Sequence, residues 1–129
     1  MEKEQKNGSR TILIAEDDAL VLKMLSYRLK KEGYNVLTAG DGRQAMECLR
    51  TNTPDLVVTD LMMPYHNGLE ILEYVKKSIN KRIPVIVLSA SGQEQTVLKA
   101  FNLGADDFAL KPFSPNELVS RIRKHLGTS

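Results

Sequence analysis

The sequence predicts an α/β fold: a doubly wound, five-stranded parallel sheet in the strand order 2-1-3-4-5, with helices on both faces. Three observations carry this. Five short apolar runs alternate with five segments of helical spacing, at 12–15, 34–38, 56–59, 85–89 and 108–110 for the runs. Each run is bounded by Gly, Pro, Asp or Asn, and the first and third both end on carboxylates. Strands joined by helical crossovers run parallel, and right-handed crossovers onto both faces leave a reversal of strand order beside the first strand. Open sheets of this kind bind ligands at that reversal, outside the strand C-termini.

The elements follow in order. Residues 1–9 are polar and without periodicity, so they read as a flexible N-terminal tail. The first run ends in Glu16-Asp17-Asp18, and Asp18 suits the N-cap of the helix marked by Leu20, Val21, Met24, Leu25 and Leu29. Gly33 is placed to close that helix before the second run. Ala45, Cys48 and Leu49 share one face of the second helix, which makes Cys48 a buried, inert thiol. The third run surfaces at Asp60, and Leu61-Met62-Met63-Pro64 leads to Gly68 and a third helix carrying Leu69, Leu72 and Val75. After the fourth run, which ends at Ser89-Ala90, Ser91 and Glu94 have capping-box spacing ahead of Val97, Leu98 and Phe101, with Gly104 as the stop. The fifth run is followed by Lys111-Pro112-Phe113. Ser114, Pro115 and Glu117 then start a last helix with Leu118, Ile122 and Leu126 inward. His66 is expected in solvent and His125 near a helix C-terminus, where positive charge is favoured.

Composition narrows the function. At 129 residues and 42% hydrophobic content the chain fits one domain, expected over 10–129. The balance of 18 basic against 16 acidic residues gives no electrostatic reason to expect nucleic-acid or membrane binding. One cysteine allows neither an internal disulfide nor a cysteine-rich zinc site, which fits a reducing cytoplasm. No apolar run is long enough to cross a bilayer, and the first residues lack the apolar core of a signal peptide.

In the predicted order, strands one and three are neighbours, so Glu16, Asp17 and Asp60 converge. Carboxylates brought together repel unless a cation joins them, so the pattern predicts a metal. Ser89 and Lys111 end strands four and five and deliver a hydroxyl and an ammonium to the same rim. The ordered set of Glu16-Asp17, Asp60 with Met63-Pro64 and Gly68, Ser89-Ala90, Gly104-Ala105-Asp106-Asp107 and Lys111-Pro112-Phe113 resembles the receiver domain of two-component response regulators, a flavodoxin-like (βα)5 fold. The match runs from about residue 10 to the end of the last helix.

That resemblance implies a set of roles. Asp60 is the phosphoacceptor, taking a phosphoryl group from a sensor histidine kinase or a histidine phosphotransfer protein. Asp17 and Asp60 bind Mg2+ directly, Glu16 acts through a metal-bound water, and the Met62 backbone carbonyl is a further ligand. Lys111 neutralises the carboxylate and then the phosphoryl group, from a Lys111-Pro112 bond expected to be cis. Ser89 donates a hydrogen bond to the arriving phosphoryl group, and Phe108 holds the aromatic switch position, here without a phenol oxygen. Met62 and Ser91 flank the site and are expected to tune the lifetime of the phosphoryl group. The resemblance extends to a charged face of Lys99, Asp107, Glu117, Arg121 and Arg123 through which receivers of DNA-binding regulators pair, with Val97 where a basic residue is usual. A phosphorylation-sensitive surface of the fourth helix, fifth strand and fifth helix follows, with or without a homodimer. The chain ends just past the last helix, as in a stand-alone receiver or a receiver cut from a regulator with an output domain.

Two other readings share the architecture. An aspartate-nucleophile phosphatase also places Asp after a parallel strand, but commonly carries a second Asp two positions later as general acid, and position 62 is methionine. A nucleotide or flavin binder needs a glycine-rich phosphate loop after the first strand, where this chain has acidic residues. The first reading is therefore a phosphorylation-dependent switch and not a turnover enzyme.

Overall fold

The computed structural model describes residues 10–127; the predicted tail at 1–9 lies outside them. Ten elements alternate: β1 (Thr11–Ala15), α1 (Ala19–Lys31), β2 (Asn35–Ala39), α2 (Gly42–Thr51), β3 (Leu56–Asp60), α3 (Gly68–Ser78), β4 (Val85–Ser89), α4 (Glu94–Asn102), β5 (Asp107–Leu110) and α5 (Pro115–Leu126). The strands form one parallel sheet in the order β2-β1-β3-β4-β5. This is the predicted topology.

The strand pleat sorts side chains into two cores. Leu13, Ala15, Val57, Val85 and Val87 face α2 and α3, meeting Ala45, Leu49, Ile71, Leu72 and Val75. Ile12, Ile14, Leu56, Val58, Ile86 and Leu88 face α1 and α5, meeting Leu25, Leu29, Leu118 and Ile122. Because helices cover both faces, β3 and β4 are buried along their whole length, which explains why they read as unbroken apolar runs. β2 is an edge strand with exposed positions, and it starts at Asn35. Tyr34, placed in the strand by the sequence reading, lies just before it as a buried aromatic whose hydroxyl has no partner among the described residues.

Helix ends bear out part of the capping chemistry. Asp18 caps α1, accepting from the Leu20 and Val21 amides at 3.0 and 3.2 Å. Ser114 caps α5 through the Glu117 amide at 3.0 Å, with Pro115 opening the helix. Gly33 and Gly104 take positive φ just past α1 and α4. The predicted box at Ser91 and Glu94 does not form: α4 begins at Glu94 after Gln93, and the Ser91 hydroxyl instead accepts from the Gln93 amide at 3.3 Å. The complete capping box belongs to Asn67 and Glu70 at the start of α3.

Candidate functional site

Register fixes which side chains meet. β1 and β3 pair Ala15 with Thr59, so the next step beyond β1 brings Glu16 beside Asp60. β3 and β4 pair Asp60 with Leu88, and β4 and β5 pair Ser89 with Leu110, so Ser89 and Lys111 follow at the same edge. Oxygens of Glu16, Asp17 and Asp60 lie within 4.8 Å of one another. Lys111 reaches across the strand ends, its Nζ donating to Glu16 Oε1 at 2.9 Å and to Asp60 Oδ2 at 3.2 Å. The Lys111-Pro112 bond is cis, as expected.

Burial differs sharply within the cluster. Glu16 is fully buried and Asp60 only 6% exposed, whereas Asp17 is open to solvent. The second Glu16 oxygen accepts from the Asp18 amide at 3.0 Å, so this carboxylate is held by an ammonium on one side and backbone on the other. The Asp60 carboxyl is pushed up to about 6, chiefly by burial and then by repulsion from Glu16, against the opposing pull of Lys111. Burial alone would lower the Lys111 ammonium, but its bond to Glu16 and its attraction to Asp60 raise it instead.

This electrostatic strain has a measurable consequence. The folded protein holds the Asp60 proton more tightly than an unfolded chain does, for which the value is 3.8. Ionised Asp60 therefore lowers stability above pH 6, and the loss shrinks as pH falls through 6 and vanishes near the unfolded value. Without divalent cation at neutral pH, Asp60→Asn is expected to be more stable than wild type by roughly 1–3 kcal/mol. Urea denaturation across a pH series checks this, with the gap closing toward acid and reversing when Mg2+ is added at neutral pH.

The residues fit such a cation. The donor set is all hard oxygen, two of the three carboxylates are buried, and the repulsion between those two is what a cation relieves. The Met62 carbonyl lies in the loop between β3 and α3 and accepts no hydrogen bond among the described residues.

The other residues singled out in the sequence lie around this cluster. The Ser89 hydroxyl is turned into the loop after β4, accepting from the Ser91 amide at 3.0 Å and donating to the Ser91 carbonyl at 3.2 Å. It makes no hydrogen bond to Asp60. Phe108 is half-buried against the α2–α3 core, its ring centroid 6.5 Å from that of exposed Phe101. On the expected charged face, Asp107 is buried and paired within the chain to Arg121 at 2.7 Å and His125 at 3.0 Å, and Arg121 also holds Glu117. Arg123 turns to Glu32 at the end of α1 and so belongs to a different contact. His66 is partly exposed, 3.8 Å from Glu70. Cys48 is half-buried against the core, its thiol raised by burial and hydrogen-bonded by Asn52 at 3.7 Å.

Sequence reasoning missed the braces of the loop that follows Asp60. A Cβ at Gly68 would lie 2.4 Å from the Asp60 carbonyl oxygen, and one at Gly42 would lie 2.0 Å from the His66 carbonyl oxygen. The loop thus rests on the starts of α3 and α2, and the Gly42 amide donates to the Pro64 carbonyl at 3.1 Å. Between them Tyr65 takes a positive φ of 75°, with the Arg43 guanidinium 3.9 Å above its ring. The available signal was that Asp41-Gly42 and Asn67-Gly68 are both helix caps followed by glycine, a position where local geometry does not ask for one.

Comparison with known proteins gives a consistent answer. The pattern of the response regulator receiver domain matches residues 12–123. The chain is 35% identical over 121 residues to the alkaline phosphatase synthesis transcriptional regulatory protein PhoP of Bacillus subtilis, covering 94% of this chain and 50% of that protein. It is 38% identical over 115 residues to the DNA-binding response regulator MtrA of Mycobacterium tuberculosis, covering 89% and 50%. The chain thus spans about half the length of these curated relatives. Among solved structures, the receiver domain of the Francisella response regulator 1452 superposes with a TM-score of 0.85 at 32% identity, over 91% of this chain and 96% of that one. With the acidic pocket, the lysine across it and the strand order all in agreement, the chain belongs to the receiver domain family of two-component response regulators.

Proposed function

We propose that residues 10–129 form a receiver that accepts a phosphoryl group on Asp60 from a sensor histidine kinase or a histidine phosphotransfer protein. The observation that carries this is the Lys111 ammonium bridging Glu16 and Asp60 at the mouth of the carboxylate cluster. An Asp60 oxygen attacks phosphorus, the phosphorus–nitrogen bond of the donor's phosphohistidine breaks, and the imidazole leaves with a proton. Lys111 faces the negative charge that spreads over the phosphoryl oxygens, as a point charge on a half-buried stem. Asp17, Asp60 and the Met62 carbonyl would hold Mg2+, with Glu16 reached through water. Bound there, the ion supplies charge neutralisation for the equatorial oxygens.

Ser89 gives the switch its differential contact. Its hydroxyl leaves Ser91 and turns to the phosphoryl group, an exchange favoured only in the phosphorylated state. The Ser91 loop leads into α4, so the change passes to the surface of α4, β5 and α5, with Phe108 beneath it. Pairing of two copies through that surface would compete with the Arg121–Asp107 ion pair already made within the chain. Among the described residues no helix is long and apolar enough to cross a membrane, in keeping with a role in the cytoplasm. An output domain or a separate protein would read the switched surface.

A generic phosphomonoester separates this reading from an aspartate-nucleophile phosphatase. Met62 cannot protonate a leaving alkoxide. The expected result is no sustained release of alcohol in a steady-state assay with Mg2+. Continuous turnover abolished by Asp60→Asn would establish the phosphatase instead.

A further inference from the structure

A groove of about 550 Å³ lies between α1 and β2. Ala19, Leu22, Lys23, Ser26, Tyr27 and Lys30 of α1 and Thr38 of β2 line it. These α1 positions recur at three- and four-residue steps, so they form one stripe along the helix. Ser26 is the unusual member. It is 8% exposed, in mid-helix, and its hydroxyl makes no hydrogen bond among the described residues. The hydroxyl oxygen is not sealed from solvent, so it is available to the groove as a donor and an acceptor.

The charges that α1 itself contributes have one sign, while Asp18 caps its start beside Ala19. α1 contains no acidic residue, and β2 contains no charged residue. Lys23 and Lys30 form no ion pair among the described residues, whereas Lys31 is engaged 5.6 Å above the Tyr27 ring. Lys30 follows Lys23 by seven positions, which places their backbones about 10 Å apart along the helix axis. The groove therefore offers two ammonium groups two helical turns apart, hydroxyls of Ser26 and Thr38, and apolar walls from Leu22 and Tyr27. Its volume is in the range of small-molecule sites.

We propose that this groove binds an elongated organic dianion, with anionic groups at both ends of an uncharged middle that hydrogen-bonds Ser26. The inference is independent of phosphoryl transfer at Asp60.

Titration of the nitrogen-15-labelled protein with hexanediol bisphosphate, without Mg2+, tests it by NMR. Ethanediol bisphosphate and inorganic phosphate serve as the short and single-anion controls. The expected result is saturable shifts centred on the amides of α1 and β2, with the long bisphosphate bound about tenfold more tightly than either control. Ser26→Ala and the double variant Lys23→Gln/Lys30→Gln each weaken it by about tenfold, the scale of a hydrogen bond to a charged group. Both changes are compatible with helix and leave the core intact, so their spectra report folding directly. Absence of binding, equal affinity for inorganic phosphate, indifference to Ser26→Ala, or shifts centred elsewhere would each overturn the proposal.

Discussion

Lys111→Met is expected to slow phosphoryl uptake from acetyl phosphate by about a hundredfold or more at saturating Mg2+, the scale of removing one charged donor from a developing oxyanion. The methionine retains most of the volume of the side chain and loses only the ammonium. That ammonium holds both Glu16 at 2.9 Å and Asp60 at 3.2 Å. Glu16 has no exposure, so without Lys111 its buried carboxylate keeps only the Asp18 amide as a partner among the described residues. Breaking such a pair from one side is costly, and a loss of about 3 kcal/mol in stability should accompany the slower uptake. Stopped-time intact-mass measurements give the rate and urea denaturation gives the stability. A variant that loses stability yet reacts at the wild-type rate would show that Lys111 is a structural brace and plays no part in the chemistry.

Gly68→Ala is expected to lower stability by about 3 kcal/mol, at the upper end of overpacking. Its Cβ would meet the Asp60 carbonyl oxygen at 2.4 Å and the Leu61 Cα at 2.9 Å, and neither is the mobile end of a side chain. Relief requires the end of β3 to move, which displaces Asp60, the proposed phosphoacceptor. Phosphoryl uptake should therefore fall together with the urea midpoint. Gly40→Ala is the control, because there the nearest atom is the flexible end of Gln44 at 3.5 Å, and it should change neither quantity appreciably.

These two residues also show what a sequence can disclose. Lys111 was legible because a strand-ending lysine followed by proline delivers its charge to a rim already crowded with carboxylates, and topology alone then brings the groups together. Glu16, Asp17 and Asp60 were legible for the same reason: strand order and register follow from short-range patterns. Gly68 was read as part of the motif around Asp60, but its role comes from crowding against the Asp60 backbone, which no local pattern encodes. Gly42 and the Arg43–Tyr65 stack are of the same kind.

The misread cap at α4 has a different cause. Ser91 and Glu94 have the spacing of a box, yet Ser91 is engaged by Ser89, whose hydroxyl takes both its amide and its carbonyl. A tertiary contact at the site overrides a local preference. Arg123 illustrates the limit for surface charge, since sequence places it on α5 but not which neighbour, here Glu32, will draw it away from the α4–β5–α5 face.

Incubation of the wild type and Asp60→Asn with acetyl phosphate and Mg2+, followed by intact-mass measurement, tests the phosphoacceptor assignment most directly. One added phosphoryl group on the wild type, absent when Mg2+ is chelated and absent from Asp60→Asn, is the predicted result. The same adduct on Asp60→Asn, or none on the wild type with the ion present, would contradict it.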